Sequence, residues 1–210
     1  MWLQTVLGEV DPGWFAGRGE ALDPRLLAPA RRSPLGRRLL ARTLLERDVG
    51  GALLAPRPDN PTPAAVARWP RAKLARLVRD LGVLAFAPLV RAEVRREPVR
   101  RLRRLLGGSY LLPLDPTIWD AKVAPDVLDR LRAQWEPLIG AGSAGDDDAL
   151  HQLFERQGRG ELRHWAARRD APLAEWATLL HAPEEPAPGH LPEKPVLLLA
   201  THHETRREAS

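Results

Sequence analysis

Leucine recurs at three- and four-residue intervals along most of this chain, and prolines cut the pattern into short pieces before it can become one long helix. Of 210 residues, 21 are proline and none is cysteine. A 3.6-residue period argues for amphipathic α-helix, and the strict alternation of a half-buried strand is almost absent. Without thiols, disulfides and thiolate zinc sites are excluded, so packing alone must hold the core. A chain of this length can bury such a core without staples.

The pieces are delimited by their punctuation. From Pro34, residues Leu35, Leu39, Leu40, Leu44 and Leu45 are read as one apolar stripe, capped by Ser33 and stopped by Gly50 and Gly51. Pro56 to Pro63 reads as a loop. Leu74, Leu77, Val78, Leu81 and Leu84 then share a face, and Pro88 and Pro98 divide the next segment into successive short helices ending at Gly107 and Gly108. Residues 109–123 read as irregular. Pro125 opens a helix bearing Leu128, Leu131, Trp135 and Leu138. Beyond the glycine-rich joint at 140–145, Asp146, Asp147 and Asp148 favour a helix N-terminus. Leu150, Leu153 and Phe154 supply its buried side. Leu162 with Trp165, and Leu173 with Trp176, Leu179 and Leu180, predict two more short helices around Pro172. Past Ala182, five prolines between Pro183 and Pro195 predict an extended or disordered tail. The expectation is an all-α fold: a single compact domain of about seven to nine short helices over residues 1–182, and a tail over 183–210.

The longest uncharged apolar stretches, 81–90 and 105–114, are ten residues each, whereas a bilayer-spanning helix needs about 20. Glu9 and Asp11 stand where a secretory leader would be apolar, so a cytoplasmic location is expected.

Charge is unevenly distributed. Residues 68–104 carry a balance of +9 and residues 115–155 one of −6, within a net charge of +5. The reading is an electrically two-ended molecule that steers partners of opposite sign to separate faces. The sharpest feature is the run Arg95, Arg96, Arg100, Arg101, Arg103 and Arg104. A basic segment of this kind suits either an acidic protein partner or nucleic acid. Only Tyr110 lies near it as a stacking aromatic, and no helix-turn-helix or RNP signature accompanies it, which favours protein. Among the seven tryptophans, Trp69, Trp135, Trp165 and Trp176 occupy helical apolar positions and read as core. Trp2, Trp14 and Trp119 lie in less regular segments, where tryptophan also serves as an interface anchor; Trp119 joins the six arginines as a candidate partner-binding residue.

Catalytic and cofactor motifs are weak or missing. Gly140, Gly142 and Gly145 spell G-x-G-x-x-G, but a helix precedes them and three aspartates stand where a pyrophosphate would sit. The aspartates lack the alternating ligands of a calcium loop. Histidines 151, 164, 181, 190, 202 and 203 show no zinc-ligand spacing, and neither a nucleophile elbow nor a Walker loop is present. No cofactor, no metal and no enzymatic activity is expected.

The order of landmarks resembles the SctK (YscK-like) family, the accessory subunit of the cytoplasmic sorting platform of bacterial type III secretion systems. The resemblance is carried by Asp11-Pro12-Gly13-Trp14, the leucine-rich helix from Leu39 to Val49 and the segment from Leu74 to Leu84. Val90-Arg91, Leu102 to Gly107, and Trp165-Ala166-Ala167 followed by Pro172 and Trp176 continue it. The arginine enrichment and the tail depart from the family's pattern. The resemblance implies an all-helical, non-enzymatic adaptor peripheral to the inner membrane. It would bridge the forkhead-like cytoplasmic domain of the ring protein SctD to the pod protein SctQ, and so to SctL and the ATPase. The competing expectation is a basic helical nucleic-acid-binding protein.

Overall fold

The computed structural model describes residues 2–16, 23–54, 71–140 and 144–205. Among these there is no strand, and eleven α-helices occur in order: α1 (Trp2–Glu9), α2 (Pro24–Arg32), α3 (Pro34–Glu46), α4 (Gly51–Leu54), α5 (Arg71–Ala85), α6 (Ala87–Ala92), α7 (Arg96–Leu106), α8 (Pro125–Ile139), α9 (Ala144–Arg169), α10 (Ala171–Leu179) and α11 (Glu193–Thr205). The all-α class read from the leucine period is what the chain adopts. Short 3-10 segments lie at Pro12–Phe15 and Gly107–Leu114. Two compact units are formed, one from residues 1–71 and 166–185, the other from 72–165 and 186–210.

Proline positions explain the helix boundaries. Asp23 and Ser33 cap α2 and α3 by accepting from the amides of Arg25 (2.8 Å) and Gly36 (2.9 Å), and Pro24 and Pro34 stand in the first turn, where the missing N–H costs nothing. Pro88, Pro98, Pro125 and Pro172 likewise sit in the first turns of α6, α7, α8 and α10. Pro88 and Pro98 therefore separate α5, α6 and α7 as the sequence indicates.

Within the first unit, Val6, Leu7, Val10, Leu27, Leu40, Leu44, Leu53, Leu173, Trp176 and Leu179 are buried. Polar side chains tie its turns down. Arg47 donates to the carbonyls of Gly13, Trp14 and Ala16, and Arg31 to that of Val10. Glu175 accepts from the amides of Ala52 (3.1 Å) and Leu53 (2.7 Å), a carboxylate placed at the start of α4. Trp14 is buried here, with Nε1 donating 2.7 Å to the carbonyl of His181, so it is a core residue and not an interface anchor.

The second unit packs Val83, Phe86, Leu89, Val90, Leu102, Leu106, Leu131, Trp135, Ile139, Leu150 and Phe154 into one core. Phe86 stacks on Trp135 at 5.8 Å between centroids and meets Phe154 edge-on at 5.6 Å. α5 and α9 touch through backbone. A Cβ at Gly82 would lie 1.8 Å from the carbonyl oxygen of Phe154, and one at Gly158 would lie 1.7 Å from that of Val78. Only glycine permits that approach.

Three expectations are corrected. The five leucines of α3 do not form one stripe: Leu40 and Leu44 are buried, while Leu35, Leu39 and Leu45 face solvent. At 100° per residue they span too wide an arc to share a face. Leu150 to Trp165 lie on one 26-residue helix, α9, not on separate short ones. Finally, among the described residues of the expected extended tail only 183–192 are extended; α11 comes next, with Val196, Leu199 and His203 buried within the second unit, and residues 206–210 lie outside the described residues. The proline-rich stretch is a connector to that helix. Trp69, the 56–63 loop and Gly142 lie outside the described residues.

Candidate partner-binding surface

α7 divides cleanly. Leu102 and Leu106 are buried and Val99 and Leu105 half-buried, whereas Arg96, Arg100, Arg103 and Arg104 are exposed. Helical geometry places those four guanidiniums in an arc of about 100°, about 12 Å long, with Glu97 at its edge. Arg95 stands just ahead of the helix. The acids near this ridge engage it unevenly. Arg100 lies 3.3 Å from Glu97, with both side chains more than half exposed, a geometry that contributes little. Arg95 makes a forked contact with Glu93 at 2.9 and 2.6 Å, and this hydrogen bonding holds the Glu93 carboxyl below its usual range. The Arg103 guanidinium lies over the Tyr110 ring, 5.4 Å from its centroid.

Two candidate residues are not part of this surface. Arg101 is only 8% exposed; its Nε donates to Asp147 (2.6 Å) and Nη1 to the carbonyl of Leu138 (2.8 Å). It joins α7 to the end of α8 and the start of α9. Trp119 is 6% exposed, its ring 6.0 Å from that of His190, and is likewise removed from any free surface. Burial in both cases comes from contacts distant in sequence.

The basic and acidic segments also meet. Asp147 takes Arg101 at 2.6 Å and Arg104 at 3.4 Å, and the hydrogen bond from Arg101 is the main reason its carboxyl stays below the ordinary range. The picture of two separate charged faces is therefore corrected within the second unit: Asp147, near the start of α9, lies against the arginine helix. What remains exposed on the ridge is still predominantly positive.

Sequence reasoning missed the residues that organise the surroundings. Arg91 donates to the carbonyls of Pro113, Trp119 (2.6 Å), Asp120 (2.9 Å) and Asp115 (3.4 Å), pinning the irregular segment after α7. Glu161, 1% exposed, accepts from the backbone amides of His190 (2.9 Å) and Leu191 (2.8 Å) and from Gln157 Nε2 (2.7 Å). His190 Nδ1 lies 2.9 Å from the other Glu161 oxygen, and its Nε2 is 3.2 Å from the carbonyl of Ala85. This carboxylate clasps the connector that leads to α11. Substituting it strands two backbone donors, so Glu161→Ala is expected to lower stability by about 3 kcal/mol, measurable by urea denaturation.

A second buried cluster has serine, aspartate and histidine, but in the wrong order for nucleophilic catalysis. Ser109 Oγ donates to Asp80 Oδ1 (2.6 Å), and His203 Nε2 lies 2.9 Å from Asp80 Oδ2. The carboxylate stands between hydroxyl and imidazole, so the hydroxyl is not held against a base. Its effect is to fasten α11 and the start of the 3-10 segment to α5. Among the described residues no group of three or more His, Asp or Glu is placed to hold a metal, and no helix is long and apolar enough to cross a membrane. The chain matches no protein-family model, no curated protein and no solved structure at a significant level.

Proposed function

We propose that this protein is a non-enzymatic adaptor of a type III secretion sorting platform, acting in the cytoplasm beneath the inner membrane. In that role it bridges the cytoplasmic domain of SctD to SctQ, and through SctQ to SctL and the ATPase. The observation that carries the adaptor reading is the α7 ridge. Four arginines are held out to solvent on a helix whose opposite side is locked into the core, while the buried polar clusters are engaged in holding helices together. The identity of the partners rests on the resemblance of the sequence landmarks to the SctK family.

The test is isothermal titration of the full chain with the SctD cytoplasmic domain and with SctQ from the same host. Arg96→Glu with Arg100→Glu alters only exposed positions, so the fold should persist. Binding to one partner is expected to weaken about tenfold, most strongly at low salt, with the other unchanged. If both partners bind as before and a salt-sensitive affinity for duplex DNA disappears, the ridge serves nucleic acid instead.

A further inference from the structure

The leucines that leave the core of the first unit form a surface of their own. Leu35, Leu39 and Leu45 are 68%, 56% and 51% exposed on α3. At 100° and 1.5 Å per residue they fall within an arc of about 120° and a length of about 15 Å, three turns of helix. Scattered single leucines on a surface need no explanation; three along one face of a single helix offer apolar area to a partner. Arg38 and Arg42 lie inside the same arc. Arg38 has no carboxylate partner among the described residues. Among the described residues Arg42 is paired with Glu46 at 2.7 Å, both side chains being largely exposed, an interaction weak enough to be exchanged.

We propose that this face of α3 docks an acidic amphipathic helix of a partner protein. The partner helix lays apolar side chains over Leu35, Leu39 and Leu45 and sets carboxylates against Arg38 and Arg42, as an amphipathic helix meets an apolar surface through one face. Charge chooses among occupants. A second copy presenting its own α3 would bring arginine against arginine. An anionic membrane is disfavoured because the arc has no aromatic anchor. This surface belongs to a different unit from the α7 ridge, and the inference stands or falls without the secretion assignment.

Fluorescence anisotropy of the full chain tests it with two labelled 18-residue helical peptides, each with leucine at every third or fourth position. One carries glutamate and the other lysine at the flanking positions. Only the glutamate peptide is expected to bind. Leu35→Ser with Leu39→Ser should weaken it about tenfold, and Arg38→Glu with Arg42→Glu should exchange the preference, so that the lysine peptide binds instead. That exchange is a gain of binding, which an unfolded variant cannot produce. The proposal is overturned if neither peptide binds, if the two bind equally, or if the leucine substitutions leave binding unchanged. Binding of vesicles containing phosphatidylglycerol that is lost with those leucines, or a chain dimer that they dissolve, would also overturn it by assigning the face to lipid or to a second copy.

Discussion

A chain ending at Pro188 is expected to melt at least about 10 °C below the full-length protein, or not to fold its second unit at all. Truncation removes Leu191, Val196 and Leu199, all buried, together with the Leu191 amide held by Glu161 and the His203 contact with Asp80. Three aliphatic side chains at about 1.5–3 kcal/mol each amount to about 5 kcal/mol or more. For a protein of this size each kcal/mol shifts the midpoint by about 2–4 °C. Circular dichroism during heating reads the result. A midpoint within about 3 °C of wild type would mean that α11 contributes no packing.

The second large effect is expected at the α5–α9 crossing. In a helix interior, glycine is worse than alanine by about 1 kcal/mol, so Gly158→Ala would stabilise a loosely packed helix. Here the added methyl would fall 1.7 Å from the Val78 carbonyl oxygen and 2.9 Å from the Gly82 nitrogen. Backbone cannot rotate away as a side chain can, so the two helices must separate, and the core of Phe86, Trp135 and Phe154 lies beside that crossing. A net loss of about 3 kcal/mol is expected, at the upper end of overpacking costs. Gly108→Ala is the control, because nothing lies within 4 Å of a Cβ there. Should Gly158→Ala melt at or above the wild-type midpoint, the two helices do not meet through backbone at this crossing.

The sequence made the local features legible and left the long-range ones hidden. Ser33 with Pro34 next to it, and Pro88 and Pro98 between leucine runs, act through their own backbone, so their consequences are visible in one dimension. The fate of α11 is not, since the prolines from 183 to 192 say nothing about where Val196 and Leu199 will dock. Leu35, Leu39 and Leu45 share their residue type with Leu40 and Leu44, and only their angular positions send them outward. At the arginine ridge the run of cations is evident. Arg101 cannot be told from Arg100 without Asp147 and the Leu138 carbonyl, which arrive from distant helices. The roles of Glu161 and Arg91 rest entirely on carbonyls and amides supplied by other segments, a kind of contact that composition and periodicity do not encode.

The proposed adaptor role makes a statement about mass. Full-length protein mixed with the SctD cytoplasmic domain and SctQ from the same host should elute from size exclusion as a species containing all three, with light scattering giving the summed mass. SctD and SctQ without the adaptor should elute apart. If SctD and SctQ associate equally well in its absence, or if the protein elutes alone beside both, the bridging role is contradicted.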